Sequence, residues 1–262
     1  MHRITIKNQR EIERMRQSGK AAAHVLHRIA AAIQPGVSTA ELEQVAKEAT
    51  AAVNAIPSFL NYKIPQHPPY PARICVSRND VVIHGIPNKA EKLRSGDIIG
   101  VDTAVKLGGY HGDNAFTFAV GDVSHEAQRL LDVTKASLYA AIAEAKPGNR
   151  VGDIASQLQN VAESAGFSVI QNYAGHGIGR HLHEKPELPC FGTLGRGPRL
   201  RTGMVLAIEA MVNAGGSDVE CLADGWTIAT TDGSLSAFFE HTVAVLPDGP
   251  EILTESPIWE QD

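Results

Sequence analysis

A repeated order of elements, with a Pro-Gly stop at the same place in each copy, constrains the fold of this chain more than any other feature. Ile12, Met15, Val25, Leu26, Ile29 and Ile33 recur at helical spacing from Glu11 to Ile33, and Gln34-Pro35-Gly36 ends that helix. Ser38, with Glu41 three residues on, forms a capping box that opens a second helix along Leu42, Val45, Ala46 and Ala49. A Pro-rich irregular stretch follows over 64–71. After it come a strand from Asp97 to Val105, a Gly108-Gly109 turn, and a second strand through Asp113, Phe116 and Phe118. The order then returns. A helix is predicted over 130–145, stopped by Lys146-Pro147-Gly148, and another over 154–165, ending at Gly166. A strand over 204–209, the Asp224-Gly225 turn and a strand over 238–245 complete the copy. The two stops lie 112 residues apart (147 − 35). Residue identity between the copies is poor. The shared order still predicts one α+β domain over 1–262, built of two pseudo-symmetric halves at about 11–121 and 124–250 with no linker between them.

The bulk numbers narrow the function classes. The chain has 262 residues, 43% of them hydrophobic, which is ample for a real core. A formal net charge of -5 offers no basic surface for nucleic acid. The amino-terminal residues are polar and charged, unlike a secretory signal. The apolar run over 21–33 is interrupted by His24, His27 and Arg28 and is too short to span a bilayer. Cys75, Cys190 and Cys221 are an odd count at wide spacings, which argues against a disulfide framework and for a reducing, cytoplasmic setting.

Four carboxylates carry the chemistry. Asp102 and Asp113 have their midpoint at 107.5, beside the Gly108-Gly109 turn. A regular hairpin would set them opposite one another, with Cβ atoms roughly 4.5–5.5 Å apart. Glu209 and Glu240 have their midpoint at 224.5, inside Asp224-Gly225, with longer arms that leave room for a bulge. Their neighbours are apolar: Ile98, Ile99 and Val101 in one half, Val205, Leu206, Ile208, Val243 and Val245 in the other. Carboxylates in such company are costly to bury unless neutralised, and a pair of divalent ions would neutralise them. A single acidic residue at a strand end is usually solvated or ion-paired. Two pairs in matching places in both halves are harder to explain that way.

Histidines supply the rest. His176 lies in a glycine-rich turn, Gly175-His176-Gly177, where the backbone can approach closely, and His183 follows seven residues on. His84 ends the apolar run Val82-Ile83; alone it is more simply a hydrogen-bonded structural histidine. His181 reads as a surface residue.

With these residues in place, the chain resembles the methionine aminopeptidases, in their compact bacterial-type class, over nearly its whole length. The matching blocks are YPARICVSRNDVVIHGIP (70–87), SGDIIGVDTAVKLGGYHGDNAFTFAVG (95–121), AGHGIGRHLHEKP (174–186), GMVLAIEAMVNAG (203–215) and ADGWTIATTDGSLSAFFEHTVAV (223–245). The resemblance implies the pita-bread fold, two pseudo-symmetric halves around a curved antiparallel sheet. It also implies two divalent metal ions, with Asp102 on one, Asp113 and Glu240 bridging both, and His176 and Glu209 completing the other.

On that basis the expected activity is metal-dependent removal of the initiator methionine from nascent proteins and peptides. A hydroxide bridging ions roughly 3.5–4 Å apart would attack the first peptide bond. Glu209 would shuttle the proton, while His84 and His183 would contact the substrate amide and the developing oxyanion. Phe59, Tyr62, Tyr70, Cys75, Leu182 and Trp226 would line the methionine pocket, whose aromatic character suits a thioether. Phe59 and Leu182 read equally well as plain core residues. A ligand set rich in carboxylate with one imidazole accepts cobalt, manganese, iron or zinc alike. The expected partner is a peptide or nascent-protein amino terminus that begins with Met. Ribosome association suits such a substrate, although no basic tail supports it. No nucleic-acid or membrane partner is expected, and the chain is expected to be a monomer.

Some residues depart from the family's pattern. The stretch from Asn61 to Pro69 is longer than usual and rich in proline, Ala210 follows Glu209 where proline is usual, and Leu182 replaces a common phenylalanine. Asn114-Ala115 follows Asp113 where small hydroxyl residues are frequent. None of these removes a ligand. Xaa-Pro peptidases share the fold and ligands but carry a large amino-terminal domain, and here about a hundred residues precede Asp102. A non-catalytic pita-bread binding protein typically lacks ligands that are intact here.

Overall fold

Asn8 and Ser38 start the first two helices in the same way. In the computed structural model, each side-chain oxygen accepts the backbone N–H of a glutamate three residues on, Glu11 or Glu41, whose carboxylate accepts the cap's own N–H. Each box satisfies donors that a helix start leaves open, worth about 1 kcal/mol. Residues 4–65 and 67–260 are described; the ends of the expected domain, and Gln66 of the Pro-rich loop, lie outside the described residues.

Helices α1 (Gln9–Ala30) and α2 (Thr39–Ala52) precede strands β1 (Ile56–Pro57), β2 (Cys75–Arg78), β3 (Val81–Ile83), β4 (Ile98–Leu107) and β5 (Tyr110–Ala119). The second run is α3 (His125–Ala143), α4 (Val151–Ser164), β6 (Ser168–Val169), β7 (Ala174–Gly177), β8 (Glu184–Pro189) and β9 (Val205–Asn213). Strands β10 (Val219–Cys221), β11 (Ile228–Thr230), β12 (Ser236–Leu246) and β13 (Gly249–Ile252) follow, then a 3-10 turn at Pro257–Trp259. The first helix stops at Ala30, short of the expected Ile33. No helix among the described residues is long and apolar enough to cross a membrane.

One ten-stranded antiparallel sheet runs β1-β4-β5-β12-β9-β7-β8, with β2 on β4, β13 on β12 and β6 on β9. Helix α1 packs on β4 and β5, and α3 packs on β9 and β12, so each half covers its own strand pair in the same way. The approach of α1 to β5 is close enough to require glycine. A Cβ on Gly112 would lie 2.6 Å from the Ser18 carbonyl carbon, and one on Gly19 would lie 2.3 Å from the Leu253 oxygen.

The seam between the halves is short. β5 and β12 share a ladder that pairs Glu240 with Ala115 and His241 with Asn114. A threonine hydroxyl continues the seam on either side. Thr242 Oγ1 accepts the Asp113 N–H at 3.0 Å and donates to the Asp113 carbonyl at 2.8 Å. Thr117 Oγ1 does the same for Phe238, at 2.9 and 2.8 Å.

Two expectations about register need correction. The β4–β5 hairpin turns at Gly108-Gly109, both in the left-handed region, and pairs Asp102 with Ala115 and Ala104 with Asp113. The aspartates are therefore diagonal neighbours on one face instead of an opposed pair, because the turn centre is one residue beyond their midpoint. Asp224-Gly225 does not join β9 directly to β12. It turns a separate hairpin, β10–β11, that pairs with β3 in a three-stranded sheet. Glu209 and Glu240 are nonetheless directly opposed, with no bulge between them.

Candidate metal centre and pocket

The register aligns side chains from strands far apart in sequence into two adjacent rows on one face. Across one row, Cys75 pairs with Asp102, Asp102 with Ala115, Ala115 with Glu240, and Glu240 with Glu209. In the next row, Ala104 pairs with Asp113, the Thr242 hydroxyl joins Asp113, and Thr242 pairs with Ala207, which faces His176. Because neighbours two apart share a face, Asp102, Asp113, Glu209, Glu240 and His176 converge, with small residues between them.

The electrostatics of this cluster call for neutralisation of its acids. Asp102, Asp113, His176 and Glu240 are buried, and Glu209 nearly so. Ligand atoms of Asp113, His176 and Glu240 all lie within 4.8 Å of one another. Burial, reinforced by the charges of Asp113 and Glu209, drives the Asp102 and Glu240 carboxyls well above the usual range. Burial pushes Asp113 up to about 7, despite a hydrogen bond with Asp102, and burial plus the charge of Asp113 pushes Glu209 to about 8. His176 Nε2 lies 3.8 Å from Asp113 Oδ2 and 3.6 Å from Glu209 Oε1. That is not an ion pair, since burial and the charge of His183 lower His176 to about 3. Its Nδ1–H donates to the Gly177 carbonyl at 2.9 Å, so the Nε2 lone pair faces the carboxylates. Asp102 Oδ1, Asp113 Oδ1 and Glu240 Oε1 are buried with no hydrogen-bond donor. Orphaned acceptors meeting a lone pair is the donor set that divalent ions satisfy, and the residues fit that group.

A cavity of about 210 Å³ opens beside the cluster. Phe59, Tyr62, Tyr70, Cys75, His84, His183 and Trp226 line it with the five cluster residues. Leu182 does not. It is buried and faces an adjoining outer groove of about 900 Å³, which shares Tyr62, Ala174, His176 and His183 with the inner cavity. The inner lining also includes Ile64, Ile83, Tyr173, Ala174 and Phe238, which no sequence pattern singled out.

Each histidine is held by specific contacts. His84 takes a left-handed φ of 61° and stands edge-on to Tyr173 and Trp226, with ring centroids 6.1 and 6.2 Å away. Gly85 follows it because a Cβ there would meet the Val76 oxygen at 1.9 Å. Burial and the neighbouring His183 lower His84 to about 4. His183 is exposed, packs against the His176 ring at 4.3 Å between centroids, and is hydrogen-bonded at Nδ1 to the Tyr62 hydroxyl. Desolvation lowers its pKa as well. His181 is exposed, as expected.

A helix-covered antiparallel sheet that gathers buried carboxylates and one imidazole beside a cavity defines a metalloprotein of the pita-bread kind. The model of metallopeptidase family M24 matches residues 13–247, and the chain belongs to that family. It is 49% identical over 251 residues to a methionine aminopeptidase of Clostridium acetobutylicum, covering 96% of this chain and 98% of that one. The solved methionine aminopeptidase of Thermotoga maritima superposes with a TM-score of 0.93 at 42% identity, over 97% of this chain and 100% of that one. A prolidase from Pyrococcus furiosus shares the fold alone, with a TM-score of 0.77 at 18% identity, over 96% of this chain and 65% of its own.

Proposed function

We propose that this protein is a methionine aminopeptidase that removes the first methionine from peptides and nascent proteins. The observation that carries this reading is the convergence of five metal-binding side chains beside an aromatic, largely apolar cavity. Asp102, Asp113, His176, Glu209 and Glu240 would hold two divalent ions, of cobalt, manganese, iron or zinc, with Asp113 and Glu240 shared between them. Ions bound there supply Lewis acidity, lowering the pKa of water and polarising the scissile carbonyl. We read residues 1–262 as one domain acting as a cytoplasmic monomer on chains emerging at the ribosome. Three free thiols, Cys75, Cys190 and Cys221, suit that compartment.

The protein groups divide the remaining work. Glu209 takes a proton from the attacking water and delivers it to the leaving amine. His84 and His183, both neutral at pH 7, are available as hydrogen-bond partners for the substrate amide and the oxyanion. A Tyr62 hydroxyl that donates to His183 Nδ1 leaves the ring proton on Nε2, the tautomer that an oxyanion needs. Replacing Tyr62 by Phe should therefore lower kcat about ten-fold and move KM less. Steady-state kinetics on a Met-peptide check this, and an unchanged kcat would remove Tyr62 from the mechanism.

The reading itself is tested by stripping the protein of metal and assaying Met-Ala-Ser against Ala-Ala-Ser. Free methionine should return only with added manganese or cobalt, with little alanine released. Metal-dependent release from both peptides would retain the hydrolase and discard the methionine pocket. No release from folded protein with either metal would leave a binding protein.

A further inference from the structure

The Pro-rich loop after Asn61 is the one segment singled out by sequence that the proposed chemistry leaves unused. Its two ends pair. Asn61 N–H donates to the Tyr70 carbonyl at 2.8 Å, and Tyr70 N–H donates to the Tyr62 carbonyl at 2.9 Å. Tyr62 and Tyr70 at those ends both line the inner cavity. The far side of the loop sits on the β10–β11 turn, which carries another lining residue, Trp226. There His67 Nδ1 donates to the Gly225 carbonyl at 2.6 Å, and Trp226 Nε1 donates to the Pro68 carbonyl at 2.9 Å. The His67 ring lies 5.7 Å from the Trp226 ring, and Trp226 stands edge-on to Tyr70 at 5.2 Å.

Two walls of one cavity, from segments about 160 residues apart in sequence, are thus tied together outside it. Pro65, Pro68, Pro69 and Pro71 each fix φ on the loop side. His67 is exposed and touches neither the metal-binding cluster nor the cavity. Its hydrogen bond holds the residue before Trp226, whose own N–H donates to Asp224 Oδ1 at 2.8 Å and whose indole donates to Pro68.

We propose that His67 is a positioning residue which, by bonding the Gly225 carbonyl, holds Trp226 as a wall of the substrate side-chain pocket and thereby sets side-chain selectivity. This rests on the aminopeptidase reading for its kinetic consequence, though not for its structural one. An unbranched side chain such as methionine fits between walls of fixed separation. A Trp226 free to swing would admit branched or shorter side chains with less discrimination.

The test uses the full chain loaded with manganese and the variants His67→Ala and His67→Asn. An asparagine amide nitrogen occupies the place of His Nδ1, so it can restore the bond to Gly225. With His67→Ala, KM for Met-Ala-Ser should rise roughly three- to ten-fold, the range that one lost hydrogen bond allows, with kcat nearly unchanged. The preference for Met-Ala-Ser over Leu-Ala-Ser should narrow by a similar factor, and His67→Asn should restore both. Acrylamide quenching reads the same contact without activity. The chain has two tryptophans, Trp226 and Trp259, both buried. One of the two should become quenchable in His67→Ala and be shielded again in His67→Asn. Unchanged KM, selectivity and quenching in His67→Ala, with normal methionine release by the unaltered protein, would overturn the role of His67 and leave the aminopeptidase standing. No release by the unaltered protein would overturn the aminopeptidase, while quenching would still decide whether His67 holds Trp226.

Discussion

Replacing Asp113 by Asn should reduce methionine release by three or more orders of magnitude, on the order of 4 kcal/mol of transition-state stabilisation, while leaving the protein folded. Asp113 stands in the second row, diagonal to Asp102 of the first. It lies 3.8 Å from His176 Nε2 and acts electrostatically on Asp102, Glu209 and Glu240. An amide keeps the shape but removes the charge, and it cannot bridge two cations as a carboxylate does. The backbone of Asp113, which the Thr242 hydroxyl joins at the seam, is untouched by the change. Calorimetric titration with manganese should show weaker binding or fewer equivalents bound, and thermal unfolding of metal-free protein should show no loss of stability. An active Asp113→Asn variant would remove this residue from the metal set.

Metal-free protein should lose stability as the pH rises from 6.5 to 8, by on the order of 3 kcal/mol. The sign follows from the carboxyls. Asp113 is raised from 3.8 to about 7 and Glu209 from 4.5 to about 8, and Asp102 and Glu240 are raised as well. Between the unfolded and folded pKa values the native state binds more protons than the unfolded chain. Each such group then removes at most about 1.4 kcal/mol per pH unit, and less as the pH passes its folded value, as it does for Asp113 and Glu209 within this window. The desolvated histidines act oppositely, chiefly at lower pH. His84, His111 and His183 are lowered from 6.5 to about 4, and His176 and His241 to about 3, so each still adds about 0.4 kcal/mol between pH 6.5 and 8 as the unfolded chain loses its protons, and together they offset part of the carboxyl loss. Thermal melts in EDTA at pH 6.5, 7.25 and 8 would measure the slope. Saturating manganese should abolish it, since ions that bind only the native state neutralise the same carboxylates. Stability that stayed flat or rose with pH in EDTA would contradict the picture of four crowded, desolvated acids.

Much of this architecture is legible from local signals. Ser38 and Glu41 announce α2, Gly108-Gly109 announces the β4–β5 turn, and the periodicities place the long helices and strands within a few residues. Asn8 does not stand out as a cap because the apolar periodicity begins only at Ile12, three residues into the helix. The diagonal placement of Asp102 and Asp113 is hidden because a one-residue shift in a turn centre changes which residues face each other by two. The β10–β11 hairpin reads in the sequence as part of one long ribbon. Its strands keep the register of β9 and β12 (219 + 230 and 209 + 240 both equal 449) while pairing in another sheet, which symmetry of positions alone could not reveal. The pocket was legible only through family resemblance. Tyr173, Ile64 and Phe238 come together by topology and carry no shared spacing, and Leu182, expected in the lining, is turned to the outer groove.

The two rows of side chains have a consequence for how the protein is assembled. Their ligands are held only by register, and a slip of one residue in β9 or β12 would turn Glu209 or Glu240 to the opposite face of the sheet. The pairing that unites the rows, Ala115 with Glu240, also joins residues 125 apart in the chain (240 − 115), a closure with a large entropic cost. A chain that lacks this pairing does not bring Asp113 and Glu240 together. Ions that required both carboxylates would load only onto molecules whose two halves have already paired in register, so metal content would report correct assembly.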